Sequence, residues 1–197
     1  MELKYITCTG ADEHTNIDDL LALLKEYPLA EIGIHVSRKE VTENSVRFDW
    51  IMALHDKIVE QKLAPNIALH VNGDWIQQFA NRAMIPELDY FLTLLDGQKG
   101  CFVKRLQINF SIGNDYRIDF GRFCQAMTDR SRLPIVLPYN DRNAVFVHRL
   151  HDKSIKFDCL YNTPKDDYPL QYERPAFKGH LQGYSGKLGA DNIAEAL

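Results

Sequence analysis

Short runs rich in β-branched residues alternate along this chain with longer stretches of helical periodicity, and this alternation constrains the fold more than any single motif. Strands are predicted near 3–8, 30–37, 66–72, 103–110, 134–139, 156–161 and 178–184. Helices are predicted near 16–26, 44–63, 75–95, 118–130, 142–153 and from 190 onward. Seven consecutive βα units imply a parallel sheet, because successive strands that run the same way need a crossover, and a helix supplies it. Asn16, ahead of Ile17-Asp18-Asp19, and Asn44-Ser45, ahead of a long periodic run, are placed to cap two of these helices. Pro28, Pro65 and Pro134 stand just before strands.

The strands alternate in an informative way. In 30–37, Ile32, Ile34 and Val36 oppose Gly33, His35 and Ser37; in 66–72, Ile67, Leu69 and Val71 oppose Ala68, His70 and Asn72. In 103–110, Leu106, Ile108 and Phe110 oppose Gln107 and Asn109. A parallel sheet covered by helices on both faces should be apolar on both, so a polar face at the strand ends needs an enclosed destination. A TIM-like (βα)8 barrel provides one, since its inward residues near the C-terminal rim form the active site. The expectation is therefore one α/β barrel domain over residues 1–197. The alternatives are an open doubly wound sheet and an antiparallel sheet with one wet face. Leu197 falls inside the helix after the seventh strand, so the eighth βα unit is absent: either the sequence is truncated or the barrel closes differently.

Composition narrows the function classes. The 197 residues are 45% hydrophobic and 25% charged, as in an ordinary globular protein. Lys plus Arg number 23 against 27 Asp plus Glu, a net charge of −4, and no segment concentrates the basic charge that a nucleic-acid partner would need. Cys8, Cys101, Cys124 and Cys159 are far apart and form no zinc or disulfide pattern, which suits a reducing compartment. No signal peptide and no membrane-spanning apolar run is evident, so the expected location is cytoplasmic, with no membrane partner. The long loop 162–177 after a strand is a place where function often sits.

The Gly-rich turn after the seventh strand, Gly183-Tyr184-Ser185-Gly186-Lys187-Leu188-Gly189, leads into a predicted helix. Backbone N–H groups at such a turn approach an anion closely, with the positive end of the helix dipole behind them. It is a candidate phosphate seat, to which Ser185 adds a hydroxyl and Lys187 a cation around Gly186. The competing reading is a simple turn that caps the last helix.

Three stretches together resemble the phosphoribosylanthranilate isomerases, small phosphate-binding barrels of tryptophan biosynthesis. Ile6-Thr7-Cys8-Thr9-Gly10 followed by Thr15-Asn16-Ile17-Asp18-Asp19 is similar to the family's strand-one Cys-Gly and its Thr-Asn-x-Glu-Asp helix start. Ser45-Val46-Arg47-Phe48 is similar to its Ser-x-Arg-Tyr, and 183–193 to its Ser/Ala-Gly-Gly-Leu-x-Pro-Glu-Asn-Val. Lys187 stands where the family has its second Gly.

The resemblance implies an isomerase that needs no cofactor and no metal and acts on a phosphorylated small molecule by an Amadori rearrangement, aminoaldose to aminoketose. It casts Cys8 as the base that removes the C2 proton, and gives Arg47 an anionic ring substituent to bind. The family's acid position holds Asn162, which cannot donate a proton as an acid, so Asp166, Asp167, Asp158 and Asp141 become candidates. His35, His70, Asn72 and Asn109 are the expected substrate-binding side chains. Two other classes stay open: a non-catalytic phosphosugar- or nucleotide-binding barrel, and a metal-dependent hydrolase built on His35, His70 and His180.

Overall fold

The computed structural model describes residues 3–42, 45–81, 84–96, 103–110, 118–162, 177 and 180–185. Seven strands, β1 (Ile6–Ala11), β2 (Ala30–Val36), β3 (Asn66–Val71), β4 (Arg105–Ile108), β5 (Ile135–Tyr139), β6 (Asp158–Asn162) and β7 (Gln182–Ser185), form one sheet. They lie side by side in chain order, and each neighbouring pair is parallel. The helices between them are α1 (Ile17–Glu26), α2 (Val46–Glu60), α3 (Asp74–Asn81), α4 (Pro86–Asp96), α5 (Phe120–Asp129) and α6 (Ala144–Asp152). The α/β class and the parallel order agree with the sequence reading. The predicted helix from 190 lies outside the described residues.

Pairing register divides the side chains between two faces. Ile34, Leu69 and Leu106 fall on one face, as do Val36, Val71 and Ile108, and all six are fully buried beneath the helices. Aromatic rings continue this layer: Phe79 of α3 meets Phe123 of α5 edge to face at 5.2 Å, and Phe123 meets Phe146 of α6 at 5.0 Å.

The opposite face carries the polar residues and curls around them. Glu31 of β2 pairs with Arg105 of β4, Thr7 donates to the Glu31 carboxylate at 2.7 Å, and the Arg105 guanidinium lies 3.4 Å from the centre of the Tyr5 ring. Burial chiefly raises the Tyr5 hydroxyl pKa, and the charges of Glu31 and Asp158 add to it against Arg105. Groups just before β1 and on β2, β4 and β6 therefore share one interior. Glu31 pairs in register with Asn66, and Ala68 with Arg105, so Arg105 stands two residues beyond Glu31 across two strands. Gln107, Val136 and Asp158 are in register, so Asp158 stands two residues beyond Arg105 across the next two. That is the stagger of roughly one residue per strand with which eight strands close, and it brings alternate strands into one layer. The sheet is thus a curled, barrel-like arrangement of seven strands.

Three local differences from the sequence reading have physical causes. β1 runs three residues later than predicted because Gly10, at φ +97°, takes up a register shift between Thr9 and Ala11 and lets the strand continue past Cys8. The single helix predicted at 75–95 is two, since Pro86 lacks an N–H and disfavours helical backbone at Ile85; it opens α4 instead. Ser45 caps α2 by accepting from the Phe48 N–H, while Asn44 lies outside the described residues.

Asn16 caps α1 as expected, accepting from the N–H groups of Asp18 and Asp19 at 2.8 and 3.3 Å. Asn16→Ala should lower stability by about 1 kcal/mol, read as a shifted denaturation midpoint at constant slope.

Candidate functional site

The C-terminal ends of β2, β3 and β4 bring five polar side chains together. His35, His70, Asn72, Gln107 and Asn109 share the inward face by register, as the alternation predicted. Asn72 Nδ2 donates to the His70 carbonyl at 2.8 Å and faces His35 Nδ1 at 3.1 Å. Asn109 Nδ2 donates to Asn72 Oδ1 at 3.1 Å, and Gln107 Nε2 donates to Asn109 Oδ1 at 2.6 Å. The result is a continuous run of amide and imidazole hydrogen-bonding groups across three strands.

His70 is the deepest member, 2% exposed, with its ring over the backbone of Gly33. Burial, and then the neighbouring His35, push its pKa down to about 4, so it is uncharged at neutral pH. Among the described residues its Nε2 is buried without a hydrogen-bond partner. The His35 and His70 rings are tilted, with centres 5.3 Å apart.

At the rim, Arg47 in the first turn of α2 donates from Nη1 to the His35 carbonyl at 3.3 Å, and its Nε pairs with Glu13. The hydrogen bond from Arg47 holds the Glu13 carboxyl below the usual glutamate range. The guanidinium assigned to an anionic ligand group therefore already has an internal carboxylate, which a ligand would have to displace or join.

Cys8 does not join this set. Thr7 lies on the interior face with Glu31, and Thr9 is in register with Gly33, so alternation sends Cys8 to the opposite face with Ile32, where it is exposed. The bulge that follows at Gly10 comes too late to turn it inward. Thr9 is the residue of β1 that shares the face and height of His70.

The acid candidates are also dispersed. Asp158 belongs to the base of the curled sheet, where it accepts from the Leu181 N–H at 2.9 Å and where burial raises its pKa. Asp141 is exposed in the turn before α6. Asn162 ends β6, paired with Ser185 of β7. Ser185 is inward by register and donates to the Tyr161 carbonyl at 3.5 Å. Asp166, Asp167, Gly186 and Lys187, and with them most of the proposed phosphate seat, lie outside the described residues.

His180, expected on the seventh strand with the other strand histidines, instead precedes β7. Its ring stacks on Phe157 at 4.6 Å, it bonds the Phe157 carbonyl, and its Nε2 lies 3.4 Å from His151 Nδ1. It stands at the end of the sheet opposite to His35 and His70. Among the described residues no group of three or more His, Cys, Asp or Glu side chains is placed to hold a metal ion. No helix among them is long and apolar enough to cross a membrane.

Sequence reasoning missed Glu13, Thr9 and the Glu31–Arg105 pair. For Glu31 and Arg105 the signal was present, since they continue the inward parity of His35 and Gln107 by even steps. Glu13 carries no such period, because it lies in the turn before α1. Compared with known proteins, the chain matches no family model, no curated protein and no solved structure.

Proposed function

We propose that the C-terminal face of this sheet binds a phosphorylated sugar derivative. The observation that carries the reading is the hydrogen-bonded run Gln107, Asn109, Asn72 and His35 at the strand ends, beside Arg47. Amides and an imidazole that both donate and accept suit an uncharged polyol, whose hydroxyls do the same. An anionic end would be drawn to the Gly-rich segment that follows Ser185 in the sequence, the expected phosphate seat.

Amadori isomerisation, which the resemblance to phosphoribosylanthranilate isomerases implies, is the second reading. It needs a base other than Cys8, because that side chain leaves β1 on the far face, and this orientation favours binding without Cys8-based catalysis. The test is a paired measurement on wild type, Cys8→Ala and Asn72→Ala: calorimetric titration with ribose 5-phosphate, and loss of phosphoribosylanthranilate fluorescence. Sugar-phosphate binding should survive in Cys8→Ala and weaken about tenfold in Asn72→Ala, the effect of losing one or two hydrogen bonds. Turnover by wild type that persists in Cys8→Ala would establish isomerisation with another base. Turnover abolished in Cys8→Ala would refute the assignment made from register, and absence of sugar-phosphate binding would sink the binding reading.

A further inference from the structure

The amides at the strand ends can be oriented in only one way. The His70 carbonyl can only accept, so the Asn72 atom 2.8 Å from it must be the NH2. Asn72 Oδ1 is thereby turned to Asn109, whose NH2 donates to it at 3.1 Å. Asn109 Oδ1 is left to accept from the Gln107 NH2 at 2.6 Å. Every amide therefore donates in the same direction along the run, from Gln107 through Asn109 and Asn72 to His35.

The last donor in the run is the second hydrogen of the Asn72 NH2, which faces His35 Nδ1 at 3.1 Å. A donor in that position requires a lone pair on Nδ1. An uncharged imidazole with its lone pair on Nδ1 carries its proton on Nε2. Flipping Asn72 to reverse the assignment would set its oxygen against the His70 carbonyl and its nitrogen against the Asn109 NH2, forfeiting two bonds to change one.

We infer that the amide run locks His35 as its Nε2–H tautomer, so that the site presents a fixed hydrogen-bond donor and reads an acceptor oxygen of its ligand, a carbonyl, ring or hydroxyl oxygen of the sugar. His35 is half-buried, and among the described residues its Nε2 has no hydrogen-bond partner. The Arg47 bond to the His35 carbonyl fixes the backbone from which the ring projects. A protonated Nε2 has no lone pair for a metal ion, so the same geometry opposes a divalent cation at this nitrogen. An ammonium group, which only donates, finds no acceptor in a protonated Nε2 either. The ligand class rests on the sugar-phosphate reading; the tautomer does not.

Two-bond proton–nitrogen correlation spectra of the 15N-labelled protein at neutral pH test the inference directly, with the His35 signals identified by their loss in His35→Gln. The expected pattern is that of Nε2–H, and an Nδ1–H pattern in wild type would overturn it. Asn72→Asp replaces the donor by an acceptor and should switch His35 to Nδ1–H, while Asn72→Ala should leave a mixture of the two forms. A pure Nε2–H pattern in both variants would show that the amide run does not set the tautomer. Saturation with ribose 5-phosphate should shift the His35 Nε2 resonance, and His35→Leu should weaken that ligand about tenfold. Saturable binding that leaves Nε2 unmoved would overturn the donor role. No binding at all, alongside an intact Nε2–H pattern in wild type, would sink the sugar-phosphate reading and leave the tautomer standing.

Discussion

Arg105→Leu should cost about 3–5 kcal/mol of folding stability, far more than the loss of a surface ion pair, because it strands a carboxylate inside the sheet. Glu31 is 1% exposed and, among the described residues, keeps only the Thr7 hydroxyl once the guanidinium is gone. The cost is pH-dependent, and its sign follows from Glu31 itself. Burial raises its pKa above the ordinary glutamate value, while the Thr7 hydrogen bond and the Arg105 charge pull it back. A carboxyl raised in the folded state holds more protons folded than unfolded, so its contribution is fully present below the unfolded value and is lost as pH rises through the folded one. Without Arg105 the folded value climbs further, and the window over which stability is lost extends upward. Urea unfolding of wild type and Arg105→Leu should show the largest gap at neutral pH and a smaller one where Glu31 is protonated. The double variant Arg105→Leu with Glu31→Gln should recover part of the loss. A single-variant cost below about 1 kcal/mol at neutral pH would mean that this pair is solvated like a surface pair.

Gly33→Ala should destabilise the protein by about 1–3 kcal/mol, although alanine in place of a strand glycine would ordinarily help. A methyl at Gly33 would stand 2.6 Å from His70 Cε1, 2.7 Å from Nε2 and 3.2 Å from Thr7 Cγ2. His70 is too deeply buried to swing away freely, so the ring must be pushed within a packed interior. Gly183 is the control: a methyl there would meet Leu160 Cδ1 at 3.3 Å, the far end of a flexible side chain. Gly183→Ala should be close to neutral by thermal unfolding. His70→Ala combined with Gly33→Ala should be more stable than the two single losses added together, since removing the imidazole vacates the space the methyl needs. Additive losses would show that Gly33 is required for another reason. Because His35 lies beside His70, Gly33→Ala should also weaken ribose 5-phosphate binding.

The order of elements and the polar face were legible in the chain because both follow from local periods. Side chains alternate every two residues along a strand, so His35, His70, Asn72, Gln107 and Asn109 declare a common face before any partner is known. Asn16 marks a helix start through bonds to its own next few residues. Cys8 enters the site through the family resemblance and not through alternation, and which parity of β1 faces inward is decided only by the pairing of Thr7 with Glu31 and of Cys8 with Ile32. The α3 and α4 break needed no tertiary information, since Pro86 alone requires it.

What tertiary structure alone decided is which distant groups meet. Glu31, Arg105 and Asp158 reach one layer because the sheet advances two residues for every two strands, a stagger created by inter-strand hydrogen bonds and absent from any local pattern. Arg47 was readable as a guanidinium at the start of a helix, but its engagement by Glu13 and by the His35 carbonyl depends on how α2 docks against the turn before α1. The direction of the amide run likewise belongs to no residue singly: it comes from one backbone carbonyl on β3 orienting Asn72, and from Asn72 then orienting its neighbours on both sides. Sequence determined which side chains were available to the polar face, because alternation is a property of one strand; tertiary structure determined their partners, charge states and donor directions, because those are properties of strands brought side by side.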